Sequence, residues 1–126
     1  MKTLFISLPM HGKTKKEIEQ RLLDISRIAI KAVCEKFGWD ENEVWWISSV
    51  DDQIDKHSEV KDERLLYLGG AIKLLSNVDA VYFDEGWEQA EDCRIEFCVC
   101  QGYCIPFVLF DDLLTIIGGK KEVKDV

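Results

Sequence analysis

Val78 to Phe110, VDAVYFDEGWEQAEDCRIEFCVCQGYCIPFVLF, reads as strand, loop, helix and strand in one continuous stretch. Asp79-Ala80-Val81-Tyr82-Phe83 is a short apolar run with β-branched and aromatic residues, long enough for one buried strand. Asp84-Glu85-Gly86-Trp87 breaks that pattern, because Gly and acidic residues favour a turn. No Pro or internal Gly interrupts the run from Glu88 to Gly102, and helix formers dominate it, which predicts a helix over 88–102. Ile105 to Phe110 is a second apolar run, with Pro106 near its start, where a missing N–H is tolerated. Two buried strands joined by a helix make a βαβ unit. In open α/β sheets the loop at a strand's carboxyl end is the usual ligand site.

One residue of the helix stands out. Glu96 is followed by Phe97, Cys98, Val99 and Cys100, so little polar surface surrounds its C-terminal side. Glu88, Asp92 and Glu96 are spaced by four and are expected to stack on one face, a like-charge row that weakens an isolated helix. Two readings stand side by side: a carboxylate presented to a pocket with its titration perturbed by neighbours, or a solvated helix edge with Arg94 nearby.

Composition narrows the class. A chain of 126 residues, 47% hydrophobic and 32% charged, suits one globular domain, expected here over 1–117 with a tail at 118–126. A net charge of −8 argues against a nucleic acid polymer or an anionic membrane as partner, yet leaves room for a single nucleotide held by backbone N–H groups. The five Cys are an odd number, and four of them crowd into residues 93 to 104, which is no disulfide framework. With no signal peptide and no apolar run long enough to span a bilayer, a reducing cytoplasm is the expected compartment. Cys98 and Cys100 lack a CxxC pair or a His cluster to support a metal, so buried thiols are expected and no metal or other cofactor.

Outward from that stretch, Lys2 to Leu8 is a strand signal, and Pro9-Met10-His11-Gly12-Lys13 a loop. Thr14 with Glu17 fits a capping box, and Ile18, Leu22, Ile25, Ile28, Ala29, Ala32 and Val33 continue at helical spacing until Gly38. Strand, Gly-containing loop and helix N-terminus suit an anion or sugar cradle, although a Gly after a strand often only turns the chain. Val44 to Ser48 is another strand, and residues 51–61 a polar loop in which His57 reads as a solvated residue. Glu63 to Asn77 reads as a helix with Leu65, Leu68, Ile72 and Leu75 inward, and Gly69-Gly70 suggests close approach of a backbone or ligand. Asp111 to Ile117 is a short last helix with Asp111 as N-cap. Strands alternating with helices predict an α/β, flavodoxin/Rossmann-like three-layer sandwich: a parallel sheet of four to five strands with helices on both faces. Trp39, Trp45, Trp46, Trp87, Tyr67 and Tyr103 exceed what one small sheet readily hides, which predicts a homo-oligomer.

Phe5-Ile6-Ser7-Leu8-Pro9-Met10-His11-Gly12 is similar to the opening S-G-P-M-x-G loop of nucleoside 2-deoxyribosyltransferase-like proteins. Asp79-Ala80-Val81, Gly86-Trp87-Glu88 and Cys93-Arg94-Ile95-Glu96 resemble the second half of that pattern, above all in a group of short bacterial and phage proteins of the superfamily. The resemblance covers about residues 3 to 110 and implies a flavodoxin-like sheet, no metal, and sites completed by neighbouring subunits. It implies that Glu96 is the nucleophile on the anomeric carbon of a nucleoside or nucleotide, in N-glycosidic cleavage or deoxyribosyl transfer. Ser7, Pro9, Met10, Gly12, Gly86 and Trp87 would line the substrate, with Asp84 or Asp92 handling the leaving-group proton. A retaining mechanism needs such a second acid about 5–5.5 Å from the nucleophile. Three departures accompany the likeness. Leu8 replaces a small residue, Ala90-Glu91-Asp92 puts two negative charges where phosphate-friendly backbone is usual, and the family's further acid falls near Gly70-Ala71, leaving Asp84, Asp92 and Asp51 as candidates. The alternative expectation is a non-catalytic binder of a nucleoside- or nucleotide-derived molecule.

Overall fold

Residues 1–49 and 61–117 are described by a computed structural model. Asp51, His57 and the tail from Gly118 lie outside them. Four parallel strands, β1 (Lys2–Ser7), β2 (Val44–Ser48), β3 (Ala80–Phe83) and β4 (Phe107–Leu109), form one sheet in the order β2-β1-β3-β4. Helices α1 (Lys15–Phe37), α2 (Glu63–Leu75), α3 (Glu91–Gly102) and α4 (Leu113–Ile117) alternate with them. The expected three-layer α/β sandwich is the fold found.

Handedness explains which helix lies where. The chain steps from β1 outward to β2, then back across to β3 and on to β4, and right-handed crossovers put helices of opposite steps on opposite faces. Accordingly α1 and α4 cover the face bearing Leu4, Ile6, Tyr82 and Val108, whereas α2 and α3 cover the face bearing Phe5, Val81 and Phe83. Successive strand residues point to opposite faces, so one strand feeds both cores. All four residues of β3 are buried, as a central strand covered on both sides requires.

Local chemistry sets the helix limits. Thr14 and Glu17 close the capping box, with the Glu17 N–H donating to Thr14 Oγ1 at 3.1 Å and the Thr14 N–H to Glu17 Oε1 at 2.9 Å. Gly38, at φ 75°, ends α1 in the left-handed conformation that only Gly adopts without penalty. Pro106 immediately precedes the edge strand, with no N–H to donate, and its carbonyl accepts from the Val81 N–H. Asp79 ties the strands' amino ends: its carboxylate accepts from the Thr3 N–H at 2.8 Å and its own N–H donates back to Thr3.

Several expectations need correction. Ile28 is 43% exposed and Leu65 is 64% exposed, so neither belongs to the buried stripe; Ala71 takes the inward place on α2 instead. Among the described residues a Cβ on Gly69 would meet nothing within 4 Å, so the close approach expected at Gly69-Gly70 is not found at Gly69. Asp111 is not an N-cap but sits inside a 3-10 turn, Phe110–Asp112, because the chain leaves β4 straight into that turn. The predicted helix over 88–102 is two elements: a 3-10 turn at Trp87–Gln89, then α3 after the extended residue Ala90. Glu88 therefore leaves the charge row spaced by four, which keeps only Asp92 and Glu96. No described helix is long and apolar enough to cross a membrane.

Candidate functional site

The strand order reverses between β1 and β3, and in open α/β sheets such a switch point, at the strands' carboxyl ends, is where ligands usually bind. Ser7 ends β1 and Asp84 follows β3, and the two are locked together by the Asp84 N–H donating to the Ser7 carbonyl at 2.8 Å. Two loops thus leave the sheet side by side. They touch at Pro9 and Gly86, where a Cβ on Gly86 would stand 3.4 Å from Pro9 Cγ, and Gly86 itself has φ +85°. A residue with a side chain is strained in that backbone, so Gly suits the turn.

On the α3 side of the sheet, Glu96 is only 4% exposed. Of the two readings of this helix, the solvated edge is therefore excluded for Glu96. The Ser7 hydroxyl donates to Glu96 Oε1 at 2.5 Å, the short distance of a hydroxyl bonded to a carboxylate. Burial pushes the Glu96 carboxyl up to about 7; the Ser7 hydrogen bond opposes that shift, and the charge of Asp92, one turn earlier, adds to it. Cys93 and Cys100 share this side. Burial holds both thiols near 12, so they pack as apolar groups rather than as nucleophiles. Trp87 leans on Phe97 and Phe83, at centroid distances of 4.7 and 5.5 Å, and closes the apolar wall beside Glu96's helix. Among the described residues its indole Nε1 is buried without a hydrogen-bond partner, an uncompensated polar atom on the α3 side.

On the α1 side the picture differs. Asp84 is 2% exposed, and both its oxygens already accept: Arg21 Nε donates to Oδ2 at 2.7 Å, Arg21 Nη2 to Oδ1 at 2.9 Å and the Tyr82 hydroxyl to Oδ1 at 2.9 Å. The ion pair raises the Arg21 guanidinium further above its usual range. Burial, with the neighbouring Asp84 charge, pushes the Tyr82 phenol well up, so it stays a donor. The pair binds α1 to the exit of β3.

Ser7 and Glu96 are thus in contact, and Pro9 and Gly86 adjoin each other. Asp84 is turned to the opposite face, toward Arg21. Asp92 lies exposed on the first turn of α3. Met10 faces the α1 side, its Sδ 3.8 Å from the Ser49 hydroxyl, and Gly12 is exposed at φ +78°. Sequence reasoning missed Arg21 and Tyr82. Arg21 follows Ile18 by three and precedes Ile25 by four, so a cation on the flank of the buried stripe was the available signal. Among the described residues, no group of three or more His, Cys, Asp or Glu side chains is placed to hold a metal ion.

Comparisons with protein-family models, curated proteins and solved structures found no match.

Proposed function

We propose that this protein cleaves or transfers an N-glycosidic bond of a nucleoside- or nucleotide-like small molecule, with Glu96 as the nucleophile. The observation that carries the reading is the buried Glu96–Ser7 contact at the carboxyl edge of β1, next to the switch point. A carboxylate in a dry wall attacks an anomeric carbon without first shedding a full hydration shell, and a hydroxyl held on its other side orients it. In this reading Ser7, Pro9 and Gly12 frame the sugar, and Gly86 and Trp87 cover its base. Met10 supports the first loop from the α1 side. Asp92 contributes negative charge along α3, and Asp84 holds the scaffold through Arg21.

The experiment is a panel of nucleosides and nucleotides, with calorimetry for binding and chromatography for released base, repeated on Glu96→Gln. Base release that survives Glu96→Gln unchanged would overturn the assignment. A second reading, a binder without turnover, is favoured by the engagement of both Asp84 oxygens, which removes that residue as a leaving-group acid. Binding without base release would establish it. The same proposal takes the protein as cytoplasmic and homo-oligomeric, acting on neither membranes nor nucleic acid polymers. Trp45, at 54% exposure, and Tyr103, at 79%, are the aromatic surfaces available for self-association. Sedimentation as a monomer at working concentration would count against the oligomer.

A further inference from the structure

Resting on the glycosidic reading of Glu96, we infer that the substrate carries its leaving group already as a cation: an N-glycosylpyridinium or an N7-alkylated purine nucleoside, without a 5′-phosphate. Three observations converge. First, a neutral base leaves an anomeric carbon readily only when an acid protonates it, and general acids are worth about 10²–10⁴-fold. Among the described residues two carboxylates are buried at this edge: Glu96 is assigned to attack, and Asp84 has both oxygens engaged by Arg21 and Tyr82. Second, the rim is negative. Glu85, Glu88, Glu91 and Asp92 are exposed around the turn and the first turn of α3, against Lys13 and Arg94. Such a rim repels a phosphate and draws a cation, and α3 follows Ala90, which gives it no side-chain cap, with two acids in its first turn, where an anion would otherwise sit. Third, the α3 side of the sheet carries an aromatic cluster, with Trp87 packed against Phe97, the residue after Glu96, and aromatic faces suit a flat cationic ring.

The chemistry balances without a proton donor. A Glu96 oxygen bonds to the anomeric carbon as the C–N bond breaks, and the bonding pair goes to the ring nitrogen, which neutralises the base. Water then attacks the anomeric carbon, the ester C–O bond breaks, Glu96 regains its charge, and one proton passes to solvent.

The test compares 7-methylguanosine with guanosine, each in the ribo and 2′-deoxy series and each against an enzyme-free blank. The two bases differ by one methyl and one charge. With Asp84 engaged and Glu96 attacking, neither buried carboxylate protonates the base and the whole difference in leaving ability remains, so kcat/KM should be at least ~10²-fold higher for the methylated substrate. Nicotinamide riboside should be cleaved, and its 5′-phosphate at least ~10-fold less efficiently. If guanosine is cleaved within ~10-fold of its methylated form, the site supplies an acid and the inference fails while the glycosidic reading stands. If no substrate releases base, both fail.

Discussion

Glu96 combines two demands that oppose each other. Attack requires the ionised form, yet burial favours the protonated one and sets its titration near 7. Turnover should therefore climb by about tenfold per pH unit below that value and level off above it. Ser7 donates to the ionised form and so holds the value down. Ser7→Ala should move the midpoint of the pH–rate profile upward, and 13C NMR titration of the Glu96 carboxyl should show the same movement in the absence of substrate. Glu96→Gln keeps volume and still accepts from Ser7, but it removes the attacking charge. A loss of at least ~10²-fold in turnover with binding largely retained is the expected outcome, read from single-turnover kinetics alongside calorimetry.

At the level of elements, the site depends on two loops being held in contact by groups on different helices. Arg21 on α1 anchors Asp84 at the exit of β3, and Arg21 keeps about a third of its side chain in solvent. Arg21→Met would leave Asp84 buried with only the Tyr82 hydroxyl. The cost should be about 2–3 kcal/mol by urea unfolding, below the range for fully buried pairs because water screens the exposed part of Arg21. Gly86→Ala tests the turn itself. Its φ of +85° implies a cost of about 1–2 kcal/mol for any side chain, and Trp87 should shift with the turn. Near-UV circular dichroism would report that shift, and an unchanged Trp87 environment would show that the turn tolerates the strain locally.

For the whole molecule, the buried carboxyl links stability to pH. Its folded value, about 7, lies above the unfolded 4.5, so the folded state holds the proton more tightly. The stabilisation is complete below 4.5, declines as pH rises, and is gone above 7. That window corresponds to about 3 kcal/mol. Measured as the difference between Glu96→Gln and the parent chain, the advantage of Gln should grow by about that amount from pH ~4.5 to ~8, since the other titrating groups cancel. A difference independent of pH would show that Glu96 is solvated in the native state. Stability given up at a functional group in this way is a familiar trade against activity.

Much of this fold was legible in the residues alone. The four strands, the capping box at Thr14 and the stop at Gly38 follow from hydrophobic period and local hydrogen bonding, which act within a few residues. The α/β class follows from their alternation. Other features came only from the folded chain. Helix propensity carried the reading of 88–102 straight through Ala90, where the observed chain is extended and α3 begins anew. Ser7 meets Glu96 across 89 residues and Arg21 meets Asp84 across 63. Those partners depend on the order β2-β1-β3-β4 and on the hand of the crossovers, which bring the ends of β1 and β3 together and set α1 and α3 on opposite faces. No local pattern records which distant donor a buried carboxylate will find; the packed sheet decides it by bringing Ser7 to Glu96 on one side and Arg21 to Asp84 on the other.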